Sequence, residues 1–129
     1  VETVRALHAA GHPLAVVTSK LEVGARRALK FAQIEECFTA VVGIDHTAKH
    51  KPEPEPVWHA LERLQMPRER AMFVGDSTHD MHAGRAAGVY TVAALWGPYT
   101  RAQLEPTTPD AFIASFDELM PLVTRLASR

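Results

Sequence analysis

The stretch Phe73-Val74-Gly75-Asp76-Ser77-Thr78-His79-Asp80 opens apolar and closes acidic. Ala71-Met72-Phe73-Val74 has the length and unbroken hydrophobicity of a strand, and a small-residue segment from about Thr78 to Ala87, ended by Gly88, reads as a helix. Asp76 thus leaves a strand and Asp80 falls in the first turn of the next helix, so the two carboxylates can converge on one hard cation. Magnesium suits such a site, because it takes a few carboxylate oxygens and completes its shell with water and substrate phosphate. Acids at a helix N-terminus also cap it and complement its dipole. Gly75, the pairing of the acids and the strand-to-helix setting favour the cation.

The same alternation extends both ways along the chain. Towards the C-terminus, Val89–Ala93 is a strand, Ala111–Ala114 a short fifth strand near an edge, and Ser115 caps a last helix carrying Phe116, Leu119, Val123 and Leu126, with Pro121 placed to kink its first turns. Towards the N-terminus, Pro52, Pro54 and Pro56 mark a turn before a helix that runs through Leu64 and is closed by Pro67. Ala40–Ile44 and Leu14–Thr18 are further strands, Leu21–Ala32 has helical spacing, and Val4, Leu7 and His8 share a helical face that stops at Gly11. Continuous apolar strands separated by helices imply a doubly wound α/β domain, with a parallel sheet covered on both faces and right-handed crossovers. Residues 1–129 are expected to form one such domain. Ligands of such folds lie beyond the carboxyl ends of the strands, which directs attention to Thr18, Asp45 and Asp76.

Composition narrows the partners. The chain has 14 basic and 15 acidic side chains with no block of either sign, which argues against nucleic acid and membrane surfaces. Cys37 is the only cysteine, so no internal disulfide or cysteine-based zinc site is possible, and a reducing cytoplasm is the expected setting. His79 and His82 bracket Asp80, but no further nitrogen or sulfur ligand is patterned with them. No Gly-x-Gly-x-x-Gly follows the first strand, which sets dinucleotide binding aside.

Two more groups stand at strand ends. Thr18 and Ser19 can offer hydroxyl and backbone N–H groups to a phosphoryl oxygen, or simply cap the next helix. Lys51, followed by Pro52, sits in a proline-restrained segment that can hold its ammonium where it neutralises a phosphate and a carboxylate together. A hydroxyl after one strand, a lysine after the next and an acid pair after the third form an ordered set on one sheet edge.

In these three motifs the chain resembles the haloacid dehalogenase superfamily of phosphatases. The resemblance implies that Thr18 and Ser19 bind the transferring phosphoryl group, that Lys51 stabilises its charge and the nucleophile, and that Asp76 ligates Mg2+ with Asp80 supporting it directly or through water. It also implies a small phosphorylated metabolite or pyrophosphate as substrate. The segment Lys51 to Pro56, Trp96-Gly97 and Pro109-Asp110 resemble the pyrophosphatase and phosphoglycolate phosphatase branch. The superfamily's first motif, Asp-x-Asp-Gly-Thr, which supplies the nucleophile, has no match before Thr18, and the helical cap is largely missing. The chain as given is therefore expected to be an incomplete, inactive core that begins within a helix. In the superfamily the absent strand lies between those ending at Thr18 and Val74, so two apolar edges are expected to be exposed, open to another segment or to self-association. Asp45 lacks the second acid a nucleophile motif needs. The alternatives are a noncatalytic phosphate- or metal-binding interaction module on the same fold, or a phospho-acceptor receiver domain, which would require an acid pair near the N-terminus.

Overall fold

The computed structural model of the protein describes residues 1–127. Eleven helices and strands alternate along it: α1 (Glu2–Ala9), β1 (Ala15–Val17), α2 (Glu22–Phe31), β2 (Ala40–Val42), α3 (Glu55–Leu64), β3 (Met72–Gly75), α4 (Thr78–Ala87), β4 (Tyr90–Ala94), α5 (Arg101–Leu104), β5 (Ala111–Ile113) and α6 (Leu119–Ala127). All pairings are parallel, and they form two pieces: β1 with β2, and β3-β4-β5 in that order. Among the described residues β1 and β3 are not hydrogen-bonded to one another, so each leaves an edge unpaired.

Strand periodicity sorts side chains to two faces. Met72 and Val74 of β3 pack with Val92, Ile113, Leu7, Leu119 and Leu122, a core under α1 and α6. Phe73, between them in sequence, points the other way, to Val57, Ala83, Ala87 and Val89 under α3 and α4. Helices on both faces of a parallel sheet are the doubly wound arrangement expected from the apolar strand runs. The small residues of α4 let it lie close to the sheet. A Cβ on Gly84 would come within 2.8 Å of Thr91 Cγ2 and 2.9 Å of Phe73 Cδ2.

Several sequence expectations shift in detail. The strands are shorter, because β1 ends before Thr18 and β2 before Gly43, and Ile44–His46 coils into a 3₁₀ turn instead of extending β2. Pro67 does not close α3; the helix stops at Leu64 because Gln65 takes a left-handed φ of 55°, and Pro67 instead opens a 3₁₀ turn at Arg68–Arg70. Only Val4 and Leu7 of the α1 stripe are buried, and His8 is exposed. The last helix starts at Leu119, preceded by a 3₁₀ turn at Phe116–Glu118, with Glu118 Oε2 accepting the Ala114 and Ser115 N–H groups, each at 2.7 Å. Pro121 therefore falls in the first turn of α6, where its missing N–H has no intrahelical acceptor to lose. Phe116 stays out of the core and stacks on Trp96, ring centroids 5.7 Å apart.

Candidate functional site

The carboxyl ends of β1, β2 and β3 meet at one place. Thr18 and Ser19, just past β1, line a small cavity with Gly43, Ile44, Thr47, His50, Lys51 and Pro56. The β1 and β2 loops are registered by backbone bonds, with Thr18 N–H donating to Val42 O at 2.9 Å and Ile44 N–H to Lys20 O at 2.9 Å. Lys20 N–H in turn donates to Thr18 Oγ1 at 3.1 Å, which fixes the hydroxyl at the mouth of the loop.

Lys51 bridges to the other piece of sheet. Its Nζ lies 2.5 Å from Asp80 Oδ1, and both side chains are nearly enclosed, 13% and 11% exposed. A pair this sheltered is fixed more firmly than a surface ion pair, since water competes little for either partner. The second carboxylate oxygen, Asp80 Oδ2, accepts the Asp76 N–H at 3.2 Å, while the Asp80 N–H donates to Ser77 Oγ at 3.1 Å as the N-cap of α4. Both oxygens of Asp80 are thus engaged within the protein. Gly75 makes this possible, because a Cβ there would fall 2.4 Å from Asp80 Cβ.

Asp76 is different. Its carboxylate is half-buried and, among the described residues, has no hydrogen-bond or ion-pair partner. Such a group is costly to desolvate unless a cation or donor joins it. Gly97, in the loop after β4, lies against it: a Cβ on Gly97 would approach Asp76 Oδ2 to 2.6 Å. An unpartnered carboxylate beside a neutral glycine cradle fits a hard cation, with oxygens from Asp76, water and a bound phosphate as ligands.

Thr18, Ser19, Lys51, Asp76 and Asp80 are therefore brought to one edge. Asp45 is not: its Oδ1 accepts the Glu22 N–H at 3.2 Å and tethers the first turn of α2. His79 and His82 are exposed on α4. Sequence reasoning missed a second cluster, Glu22, Asp45 and His46, whose oxygen and nitrogen atoms lie within 4.8 Å of one another. The signal for it was a histidine three residues after Gly43, at the reach-back position of a capping turn. Arg26, 2.7 Å from Glu22 Oε2, and then His46 hold the Glu22 carboxyl below the usual carboxylate range, and Glu22 raises the Arg26 guanidinium.

The chain is similar in sequence and fold to known proteins. The family described as haloacid dehalogenase-like hydrolase matches residues 1–94. A protein of Caldanaerobacter subterraneus subsp. tengcongensis, provisionally named as the pyrophosphatase PpaX, is 42% identical over 122 residues, covering 95% of this chain and 56% of its own length. The pyrophosphatase PpaX of Bacillus mycoides is 37% identical over 125 residues, covering 97% of this chain and 58% of its own. The chain thus spans little more than half the length of these relatives. Among solved structures, a predicted phosphoglycolate phosphatase from Haemophilus somnus superposes with a TM-score of 0.87 at 28% identity, covering 94% of this chain and 54% of that one. CbbY from Rhodobacter sphaeroides, solved with xylulose-1,5-bisphosphate, gives 0.80 at 29% identity over 92% of this chain and 53% of that one.

Proposed function

The chain belongs to the haloacid dehalogenase-like hydrolases, and on that footing we propose that the protein containing it is a magnesium-dependent phosphatase acting on pyrophosphate or a small phosphate monoester. The observation that carries this reading is the convergence at one sheet edge of a hydroxyl loop, the sheltered Lys51–Asp80 pair and the unpartnered Asp76 carboxylate. Each complements a different part of a bound phosphate.

Thr18 and Ser19 hold the non-bridging oxygens of the transferring group through hydroxyl and backbone N–H donors. Lys51, kept in place by Asp80, turns its remaining N–H bonds to the phosphate and to an attacking carboxylate, lowering the repulsion between them. Asp76 would hold Mg2+, and Asp80 supports that site through its bond to the Asp76 N–H and through water. The metal, when bound, neutralises phosphate charge and thereby favours attack by an anion. The nucleophile in this reading is an aspartate outside the residues given. Its carboxylate oxygen bonds to phosphorus as the ester or anhydride P–O bond breaks, the leaving group takes a proton, and water then cleaves the acyl phosphate to release phosphate and regenerate the carboxylate. The unpaired edges of β1 and β3 are where a strand carrying that aspartate would pair in this reading. A cytoplasmic location agrees with the free thiol of Cys37, and no helix among the described residues is long and apolar enough to cross a membrane.

The test is hydrolysis of pyrophosphate and p-nitrophenyl phosphate by the full-length protein with and without Mg2+. Asp76→Asn is expected to lower kcat/KM by about 10²-fold or more, the scale on which removing one charge-stabilising contact acts. Unchanged magnesium-dependent turnover in that variant would refute the assignment.

A further inference from the structure

Glu22, Asp45 and His46 look at first like a second metal site. Their hydrogen bonds give them another task. The Gly43 N–H donates to His46 Nδ1 at 3.0 Å, so Nδ1 presents its lone pair and the ring proton sits on Nε2. Nε2–H then donates to Glu22 Oε1 at 2.9 Å, and Glu22 Oε2 accepts Arg26 Nε–H at 2.7 Å. A metal on Nε2 would need the proton on Nδ1, facing a backbone N–H across 3.0 Å. The cluster is therefore a clamp that fastens the Gly43–His46 turn to α2, with Asp45 adding its bond to the Glu22 N–H.

Both phosphate-facing loops hang from that turn. Ile44 donates its N–H to Lys20 O, in the hydroxyl loop, and accepts His50 Nε2–H on its carbonyl at 2.9 Å, one residue before Lys51. The turn has little freedom to drift, since Gly43 is buried and an added Cβ would meet Glu22 N at 2.5 Å and Lys20 O at 2.9 Å. We propose that His46, as a neutral Nε2–H imidazole bridging Gly43 and Glu22, is a positioning residue that sets the spacing between Thr18-Ser19 and Lys51. The inference rests on the reading of that pocket as the phosphate site. The charged and titratable groups around the ring are Glu22 and Arg26 of α2, Glu35 behind Arg26 at 3.6 Å, Asp45 on the turn itself, and His59 of α3 with its ring centroid 5.6 Å away.

Two substitutions in the full-length protein separate the two ends of the ring. His46→Gln keeps a donor near Glu22 but removes the acceptor for Gly43; His46→Asn keeps an acceptor near Gly43 but does not reach Glu22. His46→Gln is expected to weaken inorganic phosphate binding and raise KM about tenfold with a smaller change in kcat, as a sub-ångström shift of a positioning loop should. His46→Asn is expected to recover most of that loss, because its side-chain oxygen can still accept the Gly43 N–H. Urea unfolding of each variant separates loss of fold from loss of position. Long-range proton–nitrogen spectra should show the His46 proton on Nε2; a proton on Nδ1 overturns the clamp whatever the protein hydrolyses. Wild-type phosphate affinity and KM in both variants would also overturn it. A wild-type protein that binds no inorganic phosphate would instead refute the reading of the pocket, and this inference with it.

Discussion

Lys51 and Asp80 offer the most direct test of how the site is held, because they join the β1-β2 piece to the β3-β4-β5 piece through side chains 2.5 Å apart. Removing one partner of a buried ion pair generally costs about 3–5 kcal/mol, because the other charge is left uncompensated. Here Asp80 retains its bond to the Asp76 N–H and the site opens at its rim, so Lys51→Met should destabilise by about 2–3 kcal/mol. Asp80→Asn should cost a similar amount, since it strands the Lys51 ammonium. The double variant, Lys51→Met with Asp80→Asn, leaves neither charge unpaired and should lose less than the sum by about 2 kcal/mol. Urea unfolding of the full-length protein provides the measurement, with fluorescence of Trp58, whose indole donates to Ala87 O at 3.3 Å, reporting on the α3–α4 contact. Losses that add to within about 0.5 kcal/mol would show that the two side chains are energetically independent, and the argument from enclosure would fail.

Two further outcomes follow from the neighbouring contacts. Gly97→Ala places a methyl 2.6 Å from both Asp76 Cβ and Oδ2, where ordinary contact begins at 3.4 Å, so the whole Asp76 side chain or the Gly97 loop must give by about 0.8 Å; kcat/KM should fall about ten- to a hundredfold and the Mg2+ needed for half-maximal activity should rise, and a magnesium titration matching wild type would contradict the cradle. Arg26 and His46 depress the Glu22 carboxyl, so the stabilisation they confer is present above the ordinary carboxylate value of about 4.3 and lost as pH falls through the lowered folded value. The stability advantage of wild type over Glu22→Gln should thus hold at pH 6 and shrink on acidification below about pH 4, and an advantage constant across that range would rule out the ion pair as its source.

What was legible in the sequence was what local chemistry determines. The apolar run of β3 and the small-residue stretch of α4 ending at Gly88 are written within a few neighbouring residues, so Asp76 and Asp80 could be placed at a strand end and a first turn. The partners of these side chains could not. Lys51 and Asp80 are 29 residues apart, and only the packing of α3 against both β1 and α4 brings them together. The reading in which Asp80 supports the metal directly or through water could not foresee that its two oxygens also accept from Lys51 and the Asp76 N–H. His46 was invisible for a related reason: its role depends on a 3₁₀ turn where the apolar run Ala40–Ile44 reads as continued strand.

The break between β1 and β3 bears on all of this. β2 is wholly buried and β4 nearly so, whereas every residue of β1 and β3 is only half-buried, although both strands are apolar and both end at the site. Apolar strands with a free ladder edge are poor solvent-facing edges, since they invite pairing. A parallel strand paired with either edge would end on the same side of the sheet as Thr18 and Asp76. Any group it carried there would meet the ammonium, the hydroxyl loop and the unpartnered carboxylate together. The Lys51–Asp80 pair already joins the two pieces of sheet by side chains alone. A group held against that pair would meet charges already fixed in position, which is the order that electrostatic preorganisation requires.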